Sequence, residues 1–255
     1  MTSPADNPAL TRVIADLRRA DPDRFGASLL APPALRPRLW ALYALNLQAA
    51  AAPFATAEPM LAEMRLQYWL DQLDDLGAGR RVDRHDVLDL LAAHWGQDAA
   101  ALRDLVAARL QDCQPRPFLD ASGVVDYVDA TAGAVMRHAA QVLGAGGDEP
   151  AIAAQARGAG LAAWLVAHPA LQAQGRGLYG ADAERLAGLA GQGLAALDAA
   201  RAARRSMPRS AAPALFAGSA RQVLRAHLTA PLAPDLPSDS RRRLKLALFS
   251  LHGRW

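Results

Sequence analysis

Two groups of aspartates have the residue type and spacing that suit metal chemistry. Asp71, Asp74 and Asp75 lie at positions i, i+3 and i+4, which share one helix face, and Asp126 and Asp129 are also three residues apart. If two such helices faced each other, their carboxylates could hold Mg²⁺ ions that bridge a diphosphate. We favour the alternative, a solvated helix face, because Asp74 and Asp75 fall in a last helical turn, where negative charge opposes the helix dipole.

Two glycine-containing stretches match the pattern G-x-G-x-x-A of dinucleotide-binding turns. They begin at Gly158 and Gly191. A dinucleotide site needs a strand before the first glycine, so that the turn brings backbone N–H groups to the pyrophosphate. Alanine-rich helical sequence precedes both stretches, and we therefore interpret these glycines as positions of close helix–helix approach.

Signatures of other catalytic classes are absent from the sequence. The six histidines form neither HExxH nor a pair four residues apart, and there is no Gly-x-Ser-x-Gly elbow and no Walker A sequence. The single cysteine, Cys113, excludes an internal disulfide and a CxxC metal site. No histidine lies near it in the sequence to activate it, so we expect Cys113 to serve in packing.

The charge pattern argues against nucleic acid as a partner. The formal net charge is only +3 over 255 residues, and the basic segment 241–245 (RRRLK) has no interleaved aromatic residues. That segment could touch acidic lipid, but charge runs are usually solvated, and we favour a cationic helix face. No stretch approaches the roughly 18 apolar residues of a spanning helix, and no secretory signal is evident. We expect a cytoplasmic protein.

The composition predicts an all-α fold that must position these residues. The chain has 60 alanines and 39 leucines, which favour helices, but only eleven valines and two isoleucines. Apolar periodicity and breaks at proline and glycine predict helices over 7–20, 22–30, 34–52, 58–77, 84–94, 97–112, 121–143, 149–167, 182–206, 209–228 and 239–251. A loop is predicted at 114–117 and an irregular stretch from Pro169 to Gly180. We interpret the chain as one helical domain.

Several stretches, in consecutive order, resemble the squalene/phytoene synthase family. They are DPDRF at 21–25 with PALRPRLWALYALN at 33–46, EPMLAEMRLQYW at 58–69, DYVDATAG at 126–133, and GLA at 160–162 followed by GRGLY at 175–179. The resemblance implies a single-domain helical bundle of the isoprenoid (terpenoid) synthase type with a central, largely apolar cavity. It also implies domain bounds: an N-terminal helix over 1–20, the family domain over 21–230, and a proline-containing linker with a basic helix over 231–255.

The resemblance also implies which side chains bind a ligand in that cavity. They are Tyr43, Asn46, Gln67, Tyr127, Thr131 and Arg176, the last as a residue that could meet phosphate. The alternative is that these polar residues only hydrogen-bond within the core of a bundle, because buried polar groups are normally paired.

The sequence departs from the family pattern at both aspartate-rich segments. Active members carry Asp-Asp-x-x-Asp shortly after the position of Tyr43, where this chain has Ala50, Ala51 and Phe54 at the acidic positions. The second segment, Asn…Arg-Asp…Asp, is replaced by AWLVAHPAL over 163–171. Alanine and phenylalanine cannot ligate Mg²⁺, so the resemblance implies a member without catalytic residues, metal or cofactor.

Three hypotheses about function remain open. The first is a non-catalytic relative that binds an isoprenoid or quinone-like lipid. Degenerate family members are known as assembly factors for respiratory complex I. The resemblance to them implies a respiratory-complex subunit as partner and a location in the cytoplasm, peripheral to the inner membrane. The second is a head-to-head prenyltransferase that uses Mg²⁺ and displaced acidic ligands. The third is a purely structural helical adaptor without a bound lipid.

Overall fold

The computed structural model describes residues 8–146 and 150–252, and all of its regular elements in these ranges are helices. The all-α prediction is confirmed. The predicted helix starts at residues 7 and 149 lie outside the described residues. The α-helices are α1 Pro8–Ala20, α2 Pro22–Ser28, α3 Arg36–Ala51, α4 Pro59–Gly77, α5 Asp86–His94, α6 Arg103–Ala107, α7 Ala121–Val128, α8 Ala134–Val142, α9 Pro150–Ala173, α10 Ala183–Ala203, α11 Ala212–Leu215, α12 Ala220–Thr229 and α13 Asp239–His252.

The chain divides into two compact units, of which the first ends at Gln114 and the second begins at Pro115. This boundary lies in the loop that the sequence predicts at 114–117. The first unit contains α1 to α6, and the second contains α7 to α13. No helix in the described ranges is long and apolar enough to cross a membrane.

Helix α3 lies at the centre of the first unit. Every residue from 39 to 46 is buried, because α3 packs against both α1 and α5. Helix α4 instead has one apolar face, formed by the leucines that the sequence predicts, and all four are buried: Leu66, Leu70, Leu73 and Leu76. These two helices carry Tyr43, Asn46 and Gln67, the candidate residues of the first unit.

The sequence predicts one regular α-helix over 97–112, and this prediction is wrong. The short helix α6 lies between two 3-10 segments, Gly96–Leu102 and Ala108–Cys113. A 3-10 helix has three residues per turn, so side chains three apart lie above one another. Ala99 and Leu102 in the first segment have this spacing and are fully buried. Apolar residues three apart can all face the core when the backbone is 3-10 helical, and their burial therefore favours the 3-10 helix here.

In the second unit, α7 and α8 follow one another with a π-helical turn, Asp129–Gly133, between them. The sequence predicts one helix over 121–143, and the π turn is the feature that it misses. A π turn shifts the backbone hydrogen-bond pattern by one residue. The carbonyl of Asp129 accepts a hydrogen bond from Nη2 of Arg137 at 3.0 Å. The turn also contains Thr131, one of the candidate site residues.

The interpretation of the glycines as positions of close helix approach is wrong for Gly191, where an added Cβ would meet nothing within 4 Å. It is confirmed at Gly158 and Gly193, where α9, α10 and α12 pack closely in the second unit. A Cβ added at Gly158 would lie 2.5 Å from Cγ of Leu197 on α10, and one added at Gly193 would lie 2.8 Å from Cδ2 of Leu224 on α12. Both glycines are inside helices rather than in turns that follow strands. They therefore allow close backbone approach and do not form a dinucleotide site.

One predicted helix end and one predicted continuous helix in the second unit are wrong. Helix α9 continues through Pro169 to Ala173, although Pro169 removes the N–H that would bond to the carbonyl of Leu165. The residues beyond the proline are held by packing, since Leu171 contacts the apolar core of this unit. The predicted helix over 209–228 is interrupted between α11 and α12, where the ring of Phe216 stacks on Phe249 at 4.7 Å.

The glycine contacts predict opposite stability changes for two alanine substitutions. Gly158→Ala should lower the free energy of unfolding by about 1–3 kcal/mol, because the new methyl group overpacks against α10. The control Gly188→Ala lies in α10, where an added Cβ meets nothing within 4 Å. Gly188→Ala should raise the free energy of unfolding by about 0.5–1 kcal/mol, because alanine has a higher helix propensity than glycine. Urea denaturation followed by circular dichroism measures both, and similar changes would contradict close packing at Gly158.

Candidate functional site

The first aspartate-rich position of the resembled family is apolar in the structure. Ala50 and Ala51 end α3, and Phe54 lies in the 3-10 turn that follows. Ala51 lines a groove of about 460 Å³ in the first unit. Its other described lining residues are Gln48, Ala52, Ala55, Leu61, Met64, Arg65, Tyr68 and Trp69. This set includes no carboxylate, and most of it is apolar.

Tyr43 and Asn46 lie on α3, in the turns before these alanines. Tyr43 is 2% exposed, and its burial raises the pKa of its hydroxyl well above the ordinary value. The guanidinium of Arg24 lies 5.3 Å from the centre of its ring. Asn46 is also buried, and its Oδ1 has no hydrogen-bond partner among the described residues. A buried carbonyl oxygen without a donor is costly.

Gln67 and the first aspartate group form surface contacts within the first unit. Gln67 is exposed on α4, and its Nε2 donates to Oδ1 of Asp71 at 2.7 Å. Asp75 forms an ion pair with Arg80, and its neighbour Asp74 forms one with Arg103 at 3.0 Å. The interpretation of this group as a solvated face with local partners agrees with these contacts.

The second aspartate group has a structural partner in the second unit. The carboxylate of Asp129 accepts hydrogen bonds from Nε and Nη2 of Arg157, and this pairing raises the pKa of Arg157. Asp126 is exposed three residues earlier. Across the described ranges, no three histidine, cysteine, aspartate or glutamate side chains are grouped so that they could hold a metal ion. Ala50, Ala51, Phe54 and the segment 163–171 contain no carboxylate, so the residues at the family's motif positions do not fit Mg²⁺.

Tyr127 and Thr131 are joined by a local hydrogen bond. The Oγ1 of Thr131, a residue only 2% exposed, donates to the carbonyl of Tyr127 at 2.7 Å. The ring of Tyr127 lies 5.2 Å from the ring of Phe118. Arg176 lies in the loop after α9, where its Nη1 donates to Oε1 of Gln174 at 3.1 Å.

Aromatic residues occupy the second aspartate-rich position. The ring of Trp164 lies 6.3 Å from Phe118 and 5.0 Å from His168, and both Trp164 and His168 are buried. Nε2 of His168 accepts from the N–H of Leu178 at 3.4 Å, and burial lowers the pKa of this imidazole. The indole Nε1 of Trp164 is buried without a hydrogen-bond acceptor among the described residues. This cluster therefore retains one unused donor.

Comparison with known proteins then identifies the family. Residues 17–168 match the profile described as squalene/phytoene synthase. The chain belongs to the squalene/phytoene synthase family. No curated protein sequence matches the chain at a significant level.

Two solved structures have a similar fold. The squalene synthase HpnC from Alicyclobacillus acidocaldarius has a TM-score of 0.72 and 18% identity, with 88% of this chain and 94% of that one covered. A dehydrosqualene synthase in complex with ligand has a TM-score of 0.70 and 16% identity, with 96% of each chain covered. These likenesses confirm the predicted all-α fold of the isoprenoid synthase type.

The six candidate residues of this squalene/phytoene synthase family member divide between the two units. Tyr43 and Asn46 share α3 and are buried, whereas Gln67 is on an exposed face of α4. Tyr127, Thr131 and Arg176 belong to the second unit. That they line one ligand cavity stays a prediction. Sequence reasoning missed the indole of Trp164, because it treated 163–171 only as a segment without carboxylates.

Because the side-chain oxygen of Asn46 is unpaired, we expect an apolar substitution at this position to stabilise the protein. Asn46→Leu should raise the free energy of unfolding of the ligand-free protein by about 1 kcal/mol, because it removes a buried acceptor that has no donor. The control is Gln72→Leu, since the buried Gln72 accepts from the N–H of Asp83 at 2.8 Å. The control substitution should lower the free energy of unfolding by about 1 kcal/mol. Chemical denaturation measures both variants, and destabilisation by Asn46→Leu would show that its oxygen is satisfied.

Proposed function

We propose that this protein binds a prenyl or quinone-like lipid and does not catalyse prenyl transfer. The observation that carries the proposal is that Ala51, at a position where active family members have a carboxylate, lines an apolar groove. Ionisation of a prenyl diphosphate develops negative charge on the leaving group, which metal-bound carboxylates neutralise. Alanine supplies no such ligand, but it leaves room for a hydrocarbon chain.

The size and lining of the groove support an apolar ligand. Its volume of about 460 Å³ lies within the usual range of small-molecule sites. Leu61 and Met64 project from α4 into the lining and are 45% and 60% exposed, so an occupant would remove apolar surface from water. The groove also includes Arg65 and Tyr68, whose polar ends could contact an oxygen of a headgroup.

Head-to-head prenyl transfer is the second candidate, and family membership together with the names of the two structural neighbours favours it. It requires that carboxylates outside the usual motifs hold Mg²⁺. The candidates are Asp71, whose carboxylate already accepts from Gln67, and the exposed Asp126.

An activity assay separates these two candidates. We expect no diphosphate release when the purified protein is incubated with farnesyl or geranylgeranyl diphosphate and Mg²⁺, because the metal-ligating side chains are missing. Release that is abolished by Asp71→Ala or Asp126→Ala would contradict the proposal and assign these aspartates to catalysis.

A groove-filling substitution tests lipid binding directly. Ala51→Trp should weaken the affinity for geranylgeraniol about tenfold or more, because the indole would occupy the groove. The control Ala93→Trp adds the same side chain at an exposed position of α5, outside the groove lining. Native mass spectrometry and tryptophan fluorescence measure occupancy. Absence of any bound isoprenoid in the unmodified protein would instead support a structural adaptor.

A role in assembly of respiratory complex I, with peripheral contact to the inner membrane, stays a prediction. Its test is whether the tagged protein copurifies with complex I subunits from its own host. An Ala51→Trp variant that retains the same partners would separate assembly from lipid binding.

A further inference from the structure

A second cavity, of about 650 Å³, lies within the second unit beneath the C-terminal helix α13. Four cationic residues from different elements line it. Arg201 comes from the end of α10 and Arg204 from the 3-10 turn that follows, while Arg221 comes from α12 and Lys245 from α13. Residues far apart in the sequence therefore bring positive charge to one place.

The positive charge around this cavity is only partly balanced by carboxylates. Asp198 pairs with Arg221 at 2.8 Å. Among the side chains that the structure describes, no carboxylate lines the cavity or forms an ion pair with Arg201, Arg204 or Lys245. Cations gathered in a partly enclosed space create a positive potential that favours an anion.

The excess of positive charge affects the pKa of Lys245. It is partly buried, and its Nζ donates a long hydrogen bond of 3.5 Å to the carbonyl of Gly218. Burial lowers the pKa of its ammonium group, and the charges of Arg221 and Arg225 lower it further. An anion in the cavity would reverse this effect, because an opposite charge favours the charged form.

The remaining walls of the cavity are mainly apolar. Phe216 and Phe249 stack with their ring centres 4.7 Å apart, and Leu197 and Leu248 also line the space. The cavity therefore offers hydrocarbon contact together with several guanidinium groups. Guanidinium groups suit phosphate because their planar arrangement of N–H donors matches two of its oxygens.

We propose that this cavity binds the phosphate group of an anionic ligand, either free phosphate or the headgroup of a phosphorylated amphiphile. The site is separate from the groove lined by Ala51, and the proposal does not depend on the function proposed above. Arg201, Arg204 and Lys245 bind the anion, whereas Arg221 contributes charge while it remains paired with Asp198.

The chain contains a built-in reporter for this site, because Lys245 is its single lysine. Reductive methylation with ¹³C-formaldehyde labels Lys245 and the N-terminal amine, and the variant Lys245→Arg identifies which NMR signal belongs to the lysine. We expect added inorganic phosphate to shift the Lys245 signal with saturation and to raise its apparent pKa. The signal of the N-terminal amine should not follow the same binding curve.

A matched pair of arginine variants then locates the site. Arg204→Gln should weaken phosphate binding about tenfold, the usual consequence of losing one charge-assisted contact. Arg243→Gln removes the same charge from an exposed position of α13 that does not line the cavity. This control should change the affinity less than about twofold at moderate salt, where distant surface charges are screened.

Vesicles distinguish the two sources of phosphate. Binding of inorganic phosphate that depends on Arg204 supports a free-anion site. If only phosphatidylcholine vesicles that contain phosphatidic acid shift the Lys245 signal, and Arg204→Gln removes this shift, the ligand is an amphiphile. The proposal is overturned if neither probe shifts the signal, or if Arg243→Gln weakens binding as much as Arg204→Gln.

Discussion

Close packing of α9 against α10 and against the end of α7 constrains the position of α9 in the second unit. At Gly158 and Gly160 there is no room for a side chain, because Leu197 and Val128 already occupy the space. These contacts hold the position of α9, and α9 in turn carries Trp164 and His168 at the second motif position. The aromatic cluster therefore depends on glycines located one to three turns earlier in the same helix.

The structure retains the family's helical framework while the chemistry of its motifs has changed. In the first unit, alanines follow the buried Tyr43 and Asn46 along α3, and one of them opens onto an apolar groove. In the second unit, a tryptophan and a neutral-favouring histidine replace the expected acidic and basic residues. Alanine and tryptophan supply no oxygen ligand for Mg²⁺ at these positions. This is the basis of the proposal that the protein binds a lipid without ionising it.

Sequence patterns predicted the helical class, the leucine face of α4 and the close packing at Gly158 and Gly193, because each follows from local periodicity or context. They did not predict the extension of α9 through Pro169 or the break after α11, since both depend on packing of distant side chains such as Leu171 and Phe249. The candidate residues on α3 were found by resemblance. The cavity beneath α13 was missed because its four cations are scattered between residues 201 and 245, and only the fold of the second unit brings them together.

The central claim is that this family member binds prenyl ligands without metal-dependent chemistry. The most direct test is the affinity for geranylgeranyl diphosphate in Mg²⁺ and again in EDTA, measured in the Arg204→Gln background so that the cavity beneath α13 contributes little. We expect the two affinities to agree within about twofold, because alanines and aromatic residues replace the metal ligands. Loss of binding on removal of Mg²⁺ would contradict the claim and indicate a metal-bridged diphosphate site.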